Sequence, residues 1–102
     1  MNASDGHGVA IRKFELGRVV ATPAALETFT SLEIRAALGR HVIGDWGDLE
    51  PEDVWTNNES LKNGSRLLSA YEFRGHKLWI ITEAVDDSDR HSVTTALLPS
   101  DY

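Results

Sequence analysis

The chain contains no cysteine, only three prolines, and fewer cationic than anionic side chains. The absence of cysteine excludes disulfides, thiolate metal sites and cysteine nucleophiles. Ten lysines and arginines against sixteen acids give a net charge of −6, which opposes binding to nucleic-acid phosphates. No apolar run is long enough to span a bilayer, and the N-terminus lacks the basic and apolar regions of a signal peptide. We therefore expect a cytoplasmic protein that neither binds nucleic acid directly nor enters a membrane.

The composition supports a single domain. With 102 residues, the apolar side chains suffice for one core but not for two. Residues 1–8 are small, polar and glycine-containing, so we predict a disordered N-terminal tail followed by one domain over residues 9–102. From Val9, β-branched and aromatic residues around Gly17 predict one or two short strands with a break.

Helix start signals follow these strands. Thr22 is an N-cap before a proline at the first helical position, which predicts a short helix over "PAALETF". Thr30 and Glu33 have the spacing of a capping box, and an apolar stripe follows in residues 31–42. Gly44 is placed to end this second helix.

The segment "GDWGDLEPEDVW" predicts a turn and then a third helix. Its proline, Pro51, stands where the helix would begin, and Asn63-Gly64 would end it. The side chains expected on the inner face of this helix are Val54, Trp55 and Leu61.

From Arg66 the apolar period falls to two, which is typical of strands. Two such segments flank "RGHK", where Gly75 at the first central position predicts a type II′ hairpin turn. A third strand over "SVTTALL" completes a predicted antiparallel meander. We therefore predict an α+β fold, with two or three short helices packed on a three- to four-stranded antiparallel sheet. In the second of these strands Leu78, Ile80, Thr82 and Ala84 would share one face. Trp79 and Ile81 would make the other sheet face apolar, so we expect the N-terminal segment or another molecule to cover it.

Acidic side chains follow the second helix without any lysine or arginine between His41 and Leu61. A row of carboxylates can imitate phosphates and bind a basic protein surface, although acids at a helix start are also favoured by the helix dipole. Trp46 would either fill the gap between helix and sheet or provide an exposed anchor in an interface. The residues predicted to bind a partner are Asp45, Trp46, Asp48, Glu50, Glu52, Asp53, Asp86, Asp87 and Asp89.

The alternative catalytic hypothesis is a small metal-independent ribonuclease. Helices followed by an antiparallel sheet resemble the barnase-like and colicin-like ribonucleases in the order of their elements. Such chemistry needs a proton-transferring side chain near pH 7 and cations at the scissile phosphate. The candidate catalytic residues are His41, Arg66, Arg90 and Thr94, with Arg74, His91 and Thr95 nearby in sequence. His41 and Asp45 have a metal-ligand spacing, but Gly44 interrupts the helix between them, so we expect no metal and no cofactor.

Four segments together resemble a family of small, largely uncharacterised bacterial proteins. They are "ATPAALE", "RHVIGDWGDL", "GSRLLSAYEFRGHKLWIITEA" and "SVTTALLPSDY". Members of this family are carried on plasmids, prophages and integrated elements, and some are labelled loosely as restriction-associated. The resemblance implies a bacterial mobile-element context and assigns no catalytic residue. This context favours an accessory protein that inhibits a host defence nuclease, of the anti-restriction or anti-CRISPR type. In that mechanism the acidic residues listed above would neutralise the basic nucleic-acid groove of the nuclease. A structural or regulatory homodimer joined through a sheet face is the third hypothesis.

Overall fold

The computed structural model describes residues 11–102, in which the helices precede most of the sheet. The predicted tail, residues 1–8, and the first two residues of the predicted domain lie outside the described residues. The elements in chain order are β1 (Arg18–Ala21), α1 (Pro23–Thr28), α2 (Ser31–Val42), α3 (Pro51–Asn63), β2 (Leu67–Phe73), β3 (His76–Thr82), β4 (Val93–Leu97) and a 3-10 turn (Pro99–Asp101).

The helix starts have the local hydrogen bonds that their sequences predict. The Thr22 hydroxyl accepts from the Ala25 amide at 3.1 Å, ahead of α1. At α2, the Glu33 amide donates to the Thr30 hydroxyl at 3.1 Å, and the Thr30 amide donates to the Glu33 carboxylate at 2.9 Å. This confirms the predicted capping box, which satisfies amide groups that have no partner inside the helix. Gly64 ends α3 in the left-handed conformation, also as predicted.

The sheet is mixed, whereas a purely antiparallel sheet was predicted. Its strand order is β1-β4-β3-β2. β2, β3 and β4 form the predicted antiparallel meander, but β1 pairs with β4 in parallel, with Arg18 opposite Val93. The residues of β1 predict a strand but not the strand with which it pairs. Three helices separate β1 from the meander, and their packing decides which edge of the meander lies beside β1. The single strand follows Gly17, and residues 11–17 are not part of the sheet.

The hairpin between β2 and β3 also differs in detail from its prediction. Phe73 pairs with His76, so Arg74 and Gly75 are the two central residues. Both have a positive φ, 54° at Arg74 and 82° at Gly75, which defines a type I′ turn rather than type II′. The Arg74 guanidinium donates to the Glu33 carboxylate and to the Thr28 carbonyl oxygen, the latter at 2.7 Å. These bonds stabilise an arginine in a conformation that usually favours glycine or asparagine.

One sheet face, called here the inner face, packs against α1 and α2. Side chains from both helices meet side chains from β2, β3 and β4 because strand residues alternate between faces. The buried cluster consists of Ala25, Phe29, Ile34, Ala37, Tyr71, Leu78, Ile80 and Ala96. Burial of these apolar groups is the main stabilising contribution at this face.

α3 lies beside β2, the strand at one edge of the sheet. The Asn57 side chain donates to the Leu68 carbonyl oxygen at 2.5 Å and accepts from the Leu68 amide at 3.1 Å. Next to it, the Asp48 amide donates to the Ala70 carbonyl oxygen at 2.7 Å, and the Ala70 amide donates to the Trp46 carbonyl oxygen at 3.1 Å. The "GDWGD" turn and Asn57 therefore satisfy backbone groups of an edge strand that would otherwise invite pairing with another chain.

The inner side of α3 was partly mispredicted. Val54 and Leu61 are half-buried, but Asn57 and Ser60 are the buried residues of this helix. Trp55, expected inside, is 65% exposed. The second or outer sheet face is flanked by residues 49–57 and by Tyr102, and none of residues 11–17 lines the hollow there, although the N-terminal segment was one of the two coverings expected. Lys13 lies near the end of α2, where its amide donates to the Val42 carbonyl oxygen at 2.8 Å, and Leu16 lies beside β4, where its carbonyl oxygen accepts from Thr94.

Candidate protein-binding surface

His41 stands on the buried side of α2, within a chain of hydroxyl groups from the inner sheet face. Its Nδ1 lies 2.5 Å from the Ser69 hydroxyl, and its Nε2 lies 2.9 Å from the Thr82 hydroxyl. The Thr82 hydroxyl lies 2.7 Å from the Thr94 hydroxyl, which donates to the Leu16 carbonyl oxygen at 2.6 Å. All four side chains are fully buried. The chain gives each buried polar group a partner, which is what makes its burial tolerable.

The surroundings of His41 keep its imidazole neutral. Burial, assisted by the nearby His91, lowers the pKa of His41 to about 4. The Phe14 ring meets the imidazole edge-on at 5.1 Å. Both ring nitrogens are occupied by hydroxyl groups, and no ring atom reaches solvent. In this arrangement His41 stabilises the packing of α2 on the sheet and cannot exchange a proton with a substrate outside.

The candidate ribonuclease residues are not assembled into one site. His41 and Thr94 are connected through Thr82 in the interior. Arg66 lies at the outer sheet face, where it donates to the Tyr102 hydroxyl at 2.6 Å and stands 3.7 Å from Glu83. Arg90 is exposed in the loop between β3 and β4. The sheet thus separates the proposed general base from one of the proposed phosphate-binding cations.

Two of the residues predicted to bind a partner, Asp45 and Trp46, have structural roles. The Arg40 guanidinium makes two bonds with the Asp45 carboxylate, at 2.7 and 3.2 Å, and lowers the pKa of that carboxyl group. Trp46 is 5% exposed, and its indole nitrogen donates to the Asn58 side-chain oxygen at 3.1 Å. Of the two roles expected for Trp46, the structure therefore shows the packed one, in which the indole fills the space beside His41 and Phe14, and not the exposed anchor.

The other four predicted acids up to Asp53 are exposed: Asp48, Glu50, Glu52 and Asp53. Within residues 11–102, none of these four carboxylates forms a salt bridge with a lysine, arginine or histidine. Glu50 is the N-cap of α3, yet its side chain makes no capping hydrogen bond, and Glu52 and Asp53 lie in the first turn. The helix dipole favours acids here. Their carboxylates nevertheless keep their hydrogen-bonding capacity for another molecule.

A groove runs along the outer sheet face beside the start of α3. It consists of two hollows of about 250 and 520 Å³, which share Leu49, Asp53, Leu68 and Trp79. Ile81 adds to the apolar floor of the first hollow, and Tyr102 and Arg66 border it. Three acids, called here the acidic margin, line the second hollow: Asp48, Glu50 and Asp53. Asp53 also lines the first hollow. An apolar concavity with a few charged groups at its border is typical of a binding site.

The second acidic group lies away from this groove. The Val85 amide donates to the Gly64 carbonyl oxygen at 2.8 Å, which holds the following loop beside the C-terminal end of α3. The acidic margin stands at the other end of this 13-residue helix, about 20 Å away along its axis. Asp86 also accepts from the Ser88 amide within its own loop, which lowers the pKa of its carboxyl group. The structure therefore does not bring Asp86, Asp87 and Asp89 together with the acids near α3.

Sequence reasoning missed the buried hydroxyl chain and the groove. The alternation of apolar residues already placed Thr82 on the same face as Leu78 and Ile80, and that signal could have marked a buried hydroxyl in need of a partner. No comparable signal identified Asn57, because a polar residue in a helix is ordinarily exposed. The groove depends on how α3 lies against the sheet, which no short segment encodes.

The structure also bears on metal and membrane association. Among residues 11–102, no three histidine, aspartate or glutamate side chains converge as a metal-binding group would. Within the same part of the chain, every helix is too short or too polar to cross a bilayer.

Comparison with protein-family models, with curated proteins and with solved structures finds no match to this chain.

Proposed function

We propose that this chain is a non-catalytic binding protein that recognises a basic surface of another protein through the groove and its acidic margin. The observation that carries this proposal is the position of three exposed carboxylates, none in a salt bridge with another of residues 11–102, beside an apolar concavity. Charge complementarity of this kind steers association and selects a partner of opposite sign. Glu52 adds a fourth exposed carboxylate, in the first turn of α3 next to Asp53.

The burial of His41 supports binding rather than catalysis. A general base must come within hydrogen-bonding distance of the proton that it removes. Here both imidazole nitrogens are bound to buried hydroxyl groups, and Arg66 lies across the sheet from them. The ribonuclease hypothesis would require this interior to open before a substrate could enter.

We further propose that the partner is a nuclease of a host defence system, whose positively charged nucleic-acid groove would receive the carboxylates. This narrower hypothesis rests on the mobile-element context implied by the sequence resemblance and on the anionic surface near α3. Asp45 and Trp46 are no longer part of the proposed surface, because Arg40 neutralises the first and the core encloses the second.

A charge-reversal experiment tests the proposal. The variant carries Asp48→Lys, Glu50→Lys and Asp53→Lys, which changes the net charge by the same amount as a control with Glu15→Lys, Glu27→Lys and Asp87→Lys at exposed positions elsewhere. Tagged proteins would capture partners from a lysate of the bacterium that encodes the chain, and the captured proteins would be identified by mass spectrometry.

We expect one protein to be captured by the wild type and by the control but not by the reversal variant. Loss of three exposed ion pairs at about 0.5 kcal/mol each weakens binding about tenfold, and the repulsion that replaces them weakens it further. Higher salt should weaken the captured complex, because exposed charges are screened. Equal capture by all three folded proteins, as checked by circular dichroism, would contradict the proposal.

A further inference from the structure

We propose that the groove on the outer sheet face binds a partner segment in which a large apolar side chain stands next to lysine or arginine. This inference rests on the proposed function, because it specifies the chemistry of the protein that the acidic margin would recognise. It assigns the apolar side chain to the hollow formed by Leu49, Trp79 and Ile81. It assigns the neighbouring cations to the carboxylates of the acidic margin.

The size and lining of the first hollow fit a large apolar side chain. Its volume of about 250 Å³ corresponds to roughly eight water molecules at about 30 Å³ each. Leu49, Leu68 and Trp79 are only half-buried around it, so they expose apolar surface that another apolar group can cover. Release of water from such surface is the main favourable term in most protein association.

The charges at the border favour a cationic segment. Asp48, Glu50 and Asp53 contribute three negative charges to the groove. Two cations also border it: Lys77 in the second hollow and Arg66 in the first. Arg66 lies 3.7 Å from Glu83, which offsets its charge. The groove is therefore net negative, and lysine or arginine beside the apolar anchor would complement it.

The groove is largely formed before any partner arrives. Its floor is built from β2 and β3, which pair over their full length. On one side Asn57 ties α3 to the Leu68 backbone through two hydrogen bonds. On the other side the Tyr102 ring meets Trp79 edge-on at 5.7 Å, and the Arg66 guanidinium stands 5.1 Å from the Tyr102 ring centre. A preformed site loses little conformational entropy on binding, which favours affinity.

A second copy of the chain is the competing occupant. Ile11 is 81% exposed and is followed directly by Arg12 and Lys13, so this segment has the chemistry that the groove would select. Binding of that segment by the groove of another copy would produce self-association. The variant Arg12→Glu with Lys13→Glu removes this possibility without touching the groove.

Nuclear magnetic resonance with two synthetic peptides tests the inference. One blocked peptide carries two central leucines between lysines, and the matched peptide carries two central serines. We expect the leucine peptide to shift the indole signal of Trp79 and the amide signals of Leu49 and Ile81. We expect the serine peptide to bind about tenfold more weakly or worse, because it offers no apolar group to the hollow. Leu49→Ala should weaken the leucine peptide severalfold, whereas Trp55→Ala, on the exposed side of α3, should not.

The other outcomes overturn the inference in distinguishable ways. Equal binding of both peptides, with shifts at Asp48, Glu50 and Asp53 but none at Trp79 or Ile81, would remove the apolar anchor and leave the proposed acidic recognition intact. Failure of both peptides to bind the wild type at millimolar concentration would overturn the groove assignment, while the charge-reversal capture would still decide the proposed function. Concentration-dependent self-association that shifts the Trp79 indole and disappears in the Arg12 and Lys13 variant would replace the partner segment by a second copy. If Leu49→Ala does not fold, the shifts in the wild type decide.

Discussion

The buried histidine makes the stability of this protein depend on mild acid. His41 is fully buried, and burial together with the charge of His91 lowers its pKa from 6.5 to about 4. As the pH falls through 6.5, the unfolded chain takes up a proton on this side chain, but the folded protein does not until about pH 4. The unfolded state therefore binds more protons in this window, and acid lowers the free energy of unfolding.

The expected loss is large for a small domain. Each pKa unit of difference corresponds to about 1.4 kcal/mol, so the free energy of unfolding falls by about 2.5 kcal/mol between pH 7.5 and pH 4.5. The pKa of Glu33, lowered to about 2 by the Arg74 guanidinium and the Thr30 amide, acts at more acidic pH. Its contribution is present above pH 4.5 and is lost only as the pH falls towards 2. The carboxyl pKa values of Asp45, Asp86 and Asp101 are lowered as well, so their contributions are also lost mainly below pH 4.5, and the window above that pH reports chiefly on the histidine.

Urea unfolding followed by circular dichroism at a series of pH values measures this effect. The wild type should lose stability most steeply between pH 6 and pH 4.5. His41→Gln removes the titrating group, so its stability should change much less over the same window, whatever its value at pH 7.5. A flat profile in the wild type, or an equally steep one in His41→Gln, would show that the imidazole is not held neutral by burial.

Two further predictions concern the edge of the sheet. Asn57→Ala leaves a backbone amide and carbonyl of β2 without their partners and should cost about 1–3 kcal/mol in urea unfolding, whereas Thr56→Ala on the exposed side should cost less than about 1 kcal/mol; equal costs would refute the capping role. Gly47 has a φ of 77°, and an added Cβ would overlap the β2 carbonyl oxygen that it faces, so Gly47→Ala should cost more than about 3 kcal/mol or prevent folding. As a control, the Cβ added by Gly39→Ala in α2 meets no other atom, so this variant should raise the free energy of unfolding by about 0.5–1 kcal/mol. Similar stabilities for Gly47→Ala and Gly39→Ala would contradict the close approach at Gly47.

The local elements were predictable because their signals are short. Thr22 and Thr30 cap α1 and α2 through residues only three positions away. The alternation in β3 correctly placed Leu78, Ile80 and Thr82 on one face, since successive strand residues point to opposite sides. The errors occurred where a longer-range partner intervened. The hairpin turn is one example, because Arg74 adopts its positive φ while bonded to Glu33 of α2.

The candidate site was predicted only in part. The exposed acids Asp48, Glu50, Glu52 and Asp53 lie where an acidic surface was expected. Trp46 has the packed position that was one of its two expected roles, whereas Trp55, expected on the inner side of α3, is exposed. A tryptophan between glycines and one near a helix start have similar local signals, and only the packing of α3 against β2 distinguishes them. Whether the acids bind a partner stays a prediction.

By itself, the sequence determined the α+β class, the starts of the helices and the alternation of the strands, because caps and periodicity act over a few residues. Only the tertiary structure decided that β1 runs parallel to β4, that His41 is buried against Thr82, 41 positions away, and that the two acidic groups lie at opposite ends of α3. The physical reason is that accessibility and charge neutralisation depend on what lies across the core, and those neighbours come from distant parts of the chain.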